Sequence, residues 1–171
     1  MRERLRRFSL ELHPDKTRRI EFGMFADRHR SRRGEGKPET FDFLGFTHIS
    51  GRNRHGGYFV RRKTIQKRMR TKLQQIKQQI RERMHDPIAQ TGRWLRAVLQ
   101  GHYNYYGVPG NTDRLGIFRH RVLVLWWYAL RGRSQRYVGW NRMLRAAHRW
   151  LPPPRAMHPY PEQRFIANHP R

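Results

Sequence analysis

A chain of 171 residues that sets 38 Lys and Arg against 12 Asp and Glu carries a net charge of +26, and so large an excess requires a polyanion to neutralise it, nucleic acid before a membrane surface. The length suits one domain, or one domain with a smaller fragment attached, and five Trp, nine Phe and seven Tyr argue for a folded core rather than a disordered basic tail. Cysteine is absent, which excludes disulfides and thiolate zinc sites. No apolar run approaches the ~18 residues of a membrane span and no signal-peptide core follows Met1, so a cytoplasmic location without a membrane partner is expected.

The charge is uneven: residues 1 to 42 hold 12 basic and 8 acidic side chains, residues 43 to 171 hold 26 and 4. In the first part, Thr17 to Phe22 reads as a short strand. Phe41 to Ile49, with Phe41, Phe43, Leu44 and Phe46, reads as a second that could pair with it as a hairpin. Between them Arg28 to Pro38 has no periodicity and suggests a mobile surface loop.

From Lys63 the period changes. Ile65, Met69, Leu73, Ile76, Ile80 and Met84 form one stripe at steps of four and three, which predicts a helix to Met84. Asp86 and Pro87 suit an N-cap and first position for a second helix to Tyr106, with Trp94, Leu95, Val98, Leu99 and His102 or Tyr103 on one face. After the break at Gly107 to Gly110, Asn111 or Thr112 can cap a third helix, carrying Leu115, Phe118, Val122 and Trp126 and ending near Gly132. A fourth runs through Trp140, Leu144 and Ala147 until Pro152, Pro153 and Pro154 stop it, and an irregular tail follows. The expected class is α+β, a short β-hairpin followed by a mainly α-helical bundle. Its expected divisions are 1–60, 61–151 and a Pro-rich basic tail at 152–171.

The first helix holds eight Lys or Arg between Lys63 and Met84 and one acid, Glu82. An ordinary solvated face mixes signs, because unbalanced like charge costs helix stability. Arg61, Arg62, Lys63, Lys67, Arg68, Arg70, Lys72 and Lys77 are therefore candidate RNA contacts, joined by Arg93 and Arg96. Tyr105 and Trp127 fall off their apolar stripes and could stack on unpaired bases, whereas Trp126 and Trp140 belong to the core stripes. Arg155, His158 and Tyr160 are further candidates in the tail. No catalytic residue or metal ligand is assigned. The sequence has no His-Glu-x-x-His, no Gly-x-Ser-x-Gly and no glycine-rich loop leading to Lys-Ser or Lys-Thr, and its carboxylates are too sparse for a two-metal centre.

Two stretches, Leu12-His-Pro-Asp-Lys-Thr-Arg-Arg-Ile-Glu-Phe-Gly23 and Phe41-Asp-Phe-Leu-Gly-Phe46, resemble the last two reverse transcriptase blocks of bacterial group II intron proteins. Gly92-Arg-Trp-Leu95, Gly101-His-Tyr-Asn-Tyr-Tyr-Gly-Val-Pro109, Arg131-Gly-Arg-Ser-Gln135, Leu151-Pro-Pro-Pro-Arg155 and His158-Pro-Tyr-Pro161 resemble the maturase domain that follows. The resemblance covers essentially the whole chain, in order and spacing.

It implies the end of a polymerase palm followed by a helical thumb that grips intron RNA and assists splicing and mobility. Lys16 would lie near the nucleotide and primer, and Phe43 to Phe46 would form the primer-supporting turn. The family's Tyr-x-Asp-Asp block and the blocks upstream of it are missing, and Met1 to Phe8 reads as the remainder of a palm helix. The endonuclease module of some relatives is missing too. The Mg2+ of the intact enzyme then has no counterpart here, and this chain is expected to need no cofactor. Expected partners are group II intron RNA, target DNA or an RNA–DNA duplex, and an N-terminal reverse transcriptase fragment. Two alternatives stay open: a thumb subunit that completes a split RNA-directed DNA polymerase in trans, and a non-functional truncated remnant.

Overall fold

Residues 41–49 form not one strand but the start of a tight hairpin. The structure, a computed structural model, describes residues 2–13, 17–52, 56–133 and 138–159. Strands β1 (Phe41–Phe43) and β2 (Phe46–Arg52) are antiparallel in the register Phe41↔His48, Asp42↔Thr47, Phe43↔Phe46. Their turn holds Leu44 at φ 47° and Gly45 at φ 84°. A two-residue hairpin with a type I′ turn needs both central residues in the left-handed region, where glycine is at ease and leucine is strained. A third strand, β3 (Tyr58–Thr64), completes an antiparallel sheet in the order β1-β2-β3.

The strand expected over Thr17 to Phe22 is absent, and so is its pairing with the second. Those residues have no regular structure. Closing a two-residue turn costs far less chain entropy than closing the long connection that the expected hairpin required. The segment is held by side chains instead: Arg18 donates to the Thr40 carbonyl at 3.0 Å, and the Glu21 carboxylate accepts from Arg33.

The chain divides into two compact units, Met1–Thr40 with Ser50–Phe59, and Phe41–Ile49 with Val60–Arg171. The first contains helices α1 (Arg2–Arg6) and α2 (Ala26–Arg32). The surface loop expected over Arg28 to Pro38 is therefore a helix in its first part. Asp27 in the first turn and His29, Arg30 and Arg32 in the last oppose the helix dipole favourably. Only Ala26 is buried, so no apolar stripe announces the helix.

The second unit carries the core. Helices α3 (Gln66–Glu82), α4 (Ile88–Tyr106), α5 (Thr112–Arg133) and α6 (Trp140–Trp150) correspond to the four predicted from apolar periodicity, except that α3 begins at Gln66 rather than Lys63, because Lys63 and Thr64 belong to β3. Their stripes meet around fully buried Ile76, Leu95, Leu99, Leu115, Phe118 and Trp126; each such side chain contributes about 1.5–3 kcal/mol on leaving water. Helices α4 and α6 approach so closely that a Cβ on Gly92 would stand 2.6 Å from Trp150 Cγ. The start of α4 lies one residue later than expected. The Pro87 carbonyl accepts from Gln90 and Thr91, so Pro87 is the N-cap, and the Asp86 carbonyl accepts from Arg133 Nη1 at 2.5 Å instead.

Asn111 is 0 % exposed and does more than cap α5. Its carbonyl accepts from Arg114 and Leu115, as a cap residue's should. Its side-chain oxygen accepts the Thr64 N–H at 3.0 Å, and its nitrogen donates to Thr64 Oγ1 at 2.9 Å and to the Tyr106 carbonyl at 2.8 Å. Asn111→Ala leaves the buried Thr64 N–H without its acceptor and takes one of two donors from the Tyr106 carbonyl, which keeps the Val108 N–H, and is expected to lower the unfolding free energy by about 2 kcal/mol. Asn111→Asp retains the acceptor but cannot donate to Tyr106, so it should recover only part of that loss; denaturant titration of the three proteins measures both differences.

Candidate nucleic-acid interface

Helical geometry sorts the bases of α3 into two rows. Lys67, Arg70, Lys77 and Arg81 recur at steps of three, seven and four along one flank of the buried stripe, and Arg68 and Lys72 follow at a step of four along the other. All six are exposed. None forms an ion pair with a described residue, and Glu82 engages Gln78 at 3.3 Å rather than a base. Arg81, which the sequence reading left out, extends the first row by a turn; its position four residues after Lys77 was the signal.

The other candidate bases are dispersed. Arg61, Arg62 and Lys63 are consecutive in β3, and a strand turns successive side chains to opposite faces, so Arg61 and Lys63 share a face that Arg62 does not. Arg61 is exposed; Arg62 and Lys63 are half-buried. Arg93 and Arg96 are exposed on α4, on a different flank from Trp94, whose ring lies 4.6 Å beneath the Arg83 guanidinium at the end of α3. They do not join the α3 rows. Lys16 and Tyr160 lie outside the described residues.

The described part of the tail after α6, residues 151–159, is irregular, and it is docked. Tyr103 Oη donates to the Pro152 carbonyl at 3.1 Å, and Arg119 donates to the carbonyls of Leu151 and Pro152 at 3.0 and 3.1 Å. Burial pushes the Tyr103 hydroxyl up to about 12, so it remains a donor. The Gly107 carbonyl accepts the Met157 and His158 N–H groups, and His158 Nε2 lies 2.7 Å from the Asn104 carbonyl. His158 is thus half-buried and bonded to the protein, while Arg155 nearby is exposed.

The two aromatic candidates differ. Tyr105 is 50 % exposed, and its hydroxyl donates to the Leu44 carbonyl at 2.8 Å, which leaves ring surface open. Trp127 is half-buried: Nε1 donates to the Val138 carbonyl at 2.8 Å, Trp140 packs edge-on at 5.2 Å, and the Arg131 guanidinium covers the ring at 4.8 Å.

Charge pairing separates the two units. In the first, Arg33 binds Glu21 and Glu35, Arg30 lies 3.3 Å from Glu35, and Arg52 lies 3.9 Å from Asp27. The Arg33 guanidinium holds the Glu21 and Glu35 carboxyls below their ordinary range. The second unit has 24 Lys and Arg against 5 Asp and Glu. Every ion pair among the described residues lies in the first unit. Among the described residues no three His, Asp or Glu side chains stand together as metal ligands, and no helix is long and apolar enough to cross a membrane.

The basic surface also acts on one buried histidine. His102 stacks on Phe118 at 3.7 Å, with Tyr106 at 4.5 Å, and its Nε2 has no hydrogen-bond partner among the described residues. Burial first, and the Lys72 charge second, lower its pKa from 6.5 to about 4, so the ring is neutral at pH 7. The unfolded chain takes up that proton near pH 6.5. The stability from the neutral ring is therefore complete above about pH 6.5 and is lost as the pH falls towards 4, by at most about 3 kcal/mol. Unfolding followed from pH 7 to 4 should show this loss in the parent and a smaller one in His102→Leu; identical pH profiles would assign the effect to other groups. Comparison with known protein families, with curated proteins and with solved structures returns no match to this chain.

Proposed function

We infer that this chain binds RNA through the helical unit, as the C-terminal part of a group II intron reverse transcriptase and maturase. The observation that carries the reading is the contrast in charge pairing: Glu21, Asp27 and Glu35 are paired with bases in the first unit, whereas Lys67, Arg68, Arg70, Lys72 and Lys77 on α3 have no carboxylate partner among the described residues. Such a surface is costly unless a polyanion covers it. The sequence resemblance supplies the family and the identity of the RNA. Several stretches that carry it take part in close contacts: Gly92 against Trp150, Tyr103 against Pro152, and Gly107 against Met157 and His158. The function is binding: bases neutralise intron phosphates and release counterions, and exposed Tyr105 offers a ring for an unpaired base.

Intron RNA binding should weaken steeply between about 50 and 200 mM salt, and neutralising Lys67, Arg68, Arg70 and Lys72 together to Gln should reduce the slope of log K against log salt by about 3. Filter binding or anisotropy measures both. A flat salt response would overturn the phosphate account. Equal affinity for an intron transcript and an unrelated structured RNA would overturn the maturase assignment while leaving RNA binding intact.

A second reading, a thumb subunit that completes a split polymerase, draws on the hairpin turn. Phe43, at the end of edge strand β1, and Leu44, in the turn after it, are 58 % and 65 % exposed, and exposed apolar side chains at a sheet edge suit a further polypeptide. Under this reading, co-expression with an N-terminal reverse transcriptase fragment yields primer extension; an inactive mixture removes it.

A further inference from the structure

Helix α5 is more apolar than one core requires. From Val122 to Leu130 it runs through nine consecutive apolar or aromatic residues, in a chain of net charge +26. A helix at a core boundary needs one apolar stripe, and apolar residues all round belong to a helix covered on all sides. Val122, Leu123 and Trp126 are buried, but Val124, Leu125 and Ala129 are half-buried and Tyr128 is 60 % exposed. That incompletely covered side faces α3, where Leu73 and Met84 are likewise half-buried at the margin of its stripe.

Between the two helices lies an open groove of about 650 Å³. Its floor is aliphatic, built on Leu73, Ile80, Met84, Val124 and Leu125, and its charged lining residues are Lys77, Arg81 and Arg121. Among the described residues, no acidic one lines it. Leu73 to Glu82 spans about 14 Å of the α3 axis, between two and three turns of a helix laid alongside, and Met84 follows just past its end. The width and adaptability of Met84 suit branched aliphatic side chains.

We propose that the groove between α3 and α5 is the seat of an amphipathic helix from a partner protein, its apolar side in the groove and acidic residues along its flanks. Charge complementarity selects this occupant: three cations without an acid on the rim attract carboxylates and repel a second copy of this strongly basic chain. A nucleobase fits less well, because bases stack on aromatic faces and the floor here is aliphatic, with Tyr128 the one ring among the described lining residues. The docking withdraws Lys77 and Arg81 from the basic rows and leaves Lys67, Arg68, Arg70 and Lys72 to RNA, and does not depend on which RNA is bound.

The test uses the full chain with labelled Leu, Val and Met methyl groups and a synthetic helical peptide of about 18 residues, with Leu along one stripe and Glu on both flanks. Binding is expected to shift the methyl signals of Leu73, Met84, Val124 and Leu125. The same peptide with every Glu replaced by Lys should bind at least about tenfold more weakly, and Tyr128→Glu and Arg121→Glu should each weaken the acidic peptide by about tenfold. Both residues are exposed, and an unchanged thermal midpoint shows that the variants fold; the mapping on the parent chain stands even if one does not. Shifts confined to other methyls, or equal binding of the Glu and Lys peptides, would overturn the proposal. A short oligouridylate that moves the same four methyls and displaces the peptide would reassign the groove to RNA.

Discussion

The carboxamide of Asn111 is the constraint on which the helical unit depends. With one acceptor and two donor bonds it joins the end of β3, the end of α4 and the start of α5, segments that lie up to 47 residues apart. Each partner is itself a junction. Thr64 is the last residue before the N-cap of α3, and Tyr106 is the last residue of α4. Fixing them at one buried point fixes the starts of α3 and α5 together, and so the angle at which the basic rows and the apolar groove are presented. Because the amide is wholly buried, each bond is strong and each lost bond expensive. Two further bonds tie the hairpin turn to the same region: the Ile65 N–H donates to the Gly45 carbonyl, and Tyr105 Oη donates to that of Leu44. They hold Leu44 in a conformation that leucine alone would leave.

The four long helices were legible because burial imposes a 3.6-residue period that survives in Met69, Ile76 and Ile80, or Leu95, Leu99 and Tyr103. What escaped reading had no such period. Helix α2 buries Ala26 alone. Strand β3 was signalled by Tyr58, Phe59 and Val60 after two glycines, but Arg61, Arg62 and Lys63 drew attention to charge. Asn111 was legible as a cap and not as a tertiary clasp, because its side-chain partners lie 5 and 47 residues away. The candidate site divides along the same line. The excess charge of α3 was visible in the sequence, and its two rows follow from helix geometry. That Trp127 bonds Val138 and lies beneath Arg131 depends on how the end of α5 meets the following chain.

The segment after α6 shows how a proline-rich tail can be structural without being regular. Three prolines remove backbone donors from residues 152 to 154 while leaving every carbonyl to accept. The protein supplies the donors: Tyr103 and Arg119 bind the Leu151 and Pro152 carbonyls, and Met157 and His158 return N–H groups to Gly107. A side chain at Gly107 would collide with the Tyr103 carbonyl at 2.4 Å and with Met157 at 2.9 Å. Glycine is required there by closeness of approach, and that closeness lets the tail lie flat across the end of α4.

These carbonyl contacts change the meaning of the arginine excess. With 32 Arg to 6 Lys, the composition by itself points to guanidinium forks aimed at phosphate and base. Several of those forks bind the protein itself. Arg119 holds two carbonyls after α6, Arg133 holds those of His85 and Asp86, and Arg83, Arg131 and Arg149 lie over Trp94, Trp127 and Trp150. A planar five-donor group suits these tasks and an ammonium does not. Lysine is distributed differently: four of the six, Lys63, Lys67, Lys72 and Lys77, fall at the end of β3 and along α3. A point charge on a flexible stem, strongly hydrated and without a carboxylate partner, suits a non-specific contact with a phosphate backbone. The proposed polyanion surface is therefore better located by lysine than by total charge, and the number of phosphates it would neutralise is well below the net charge of +26.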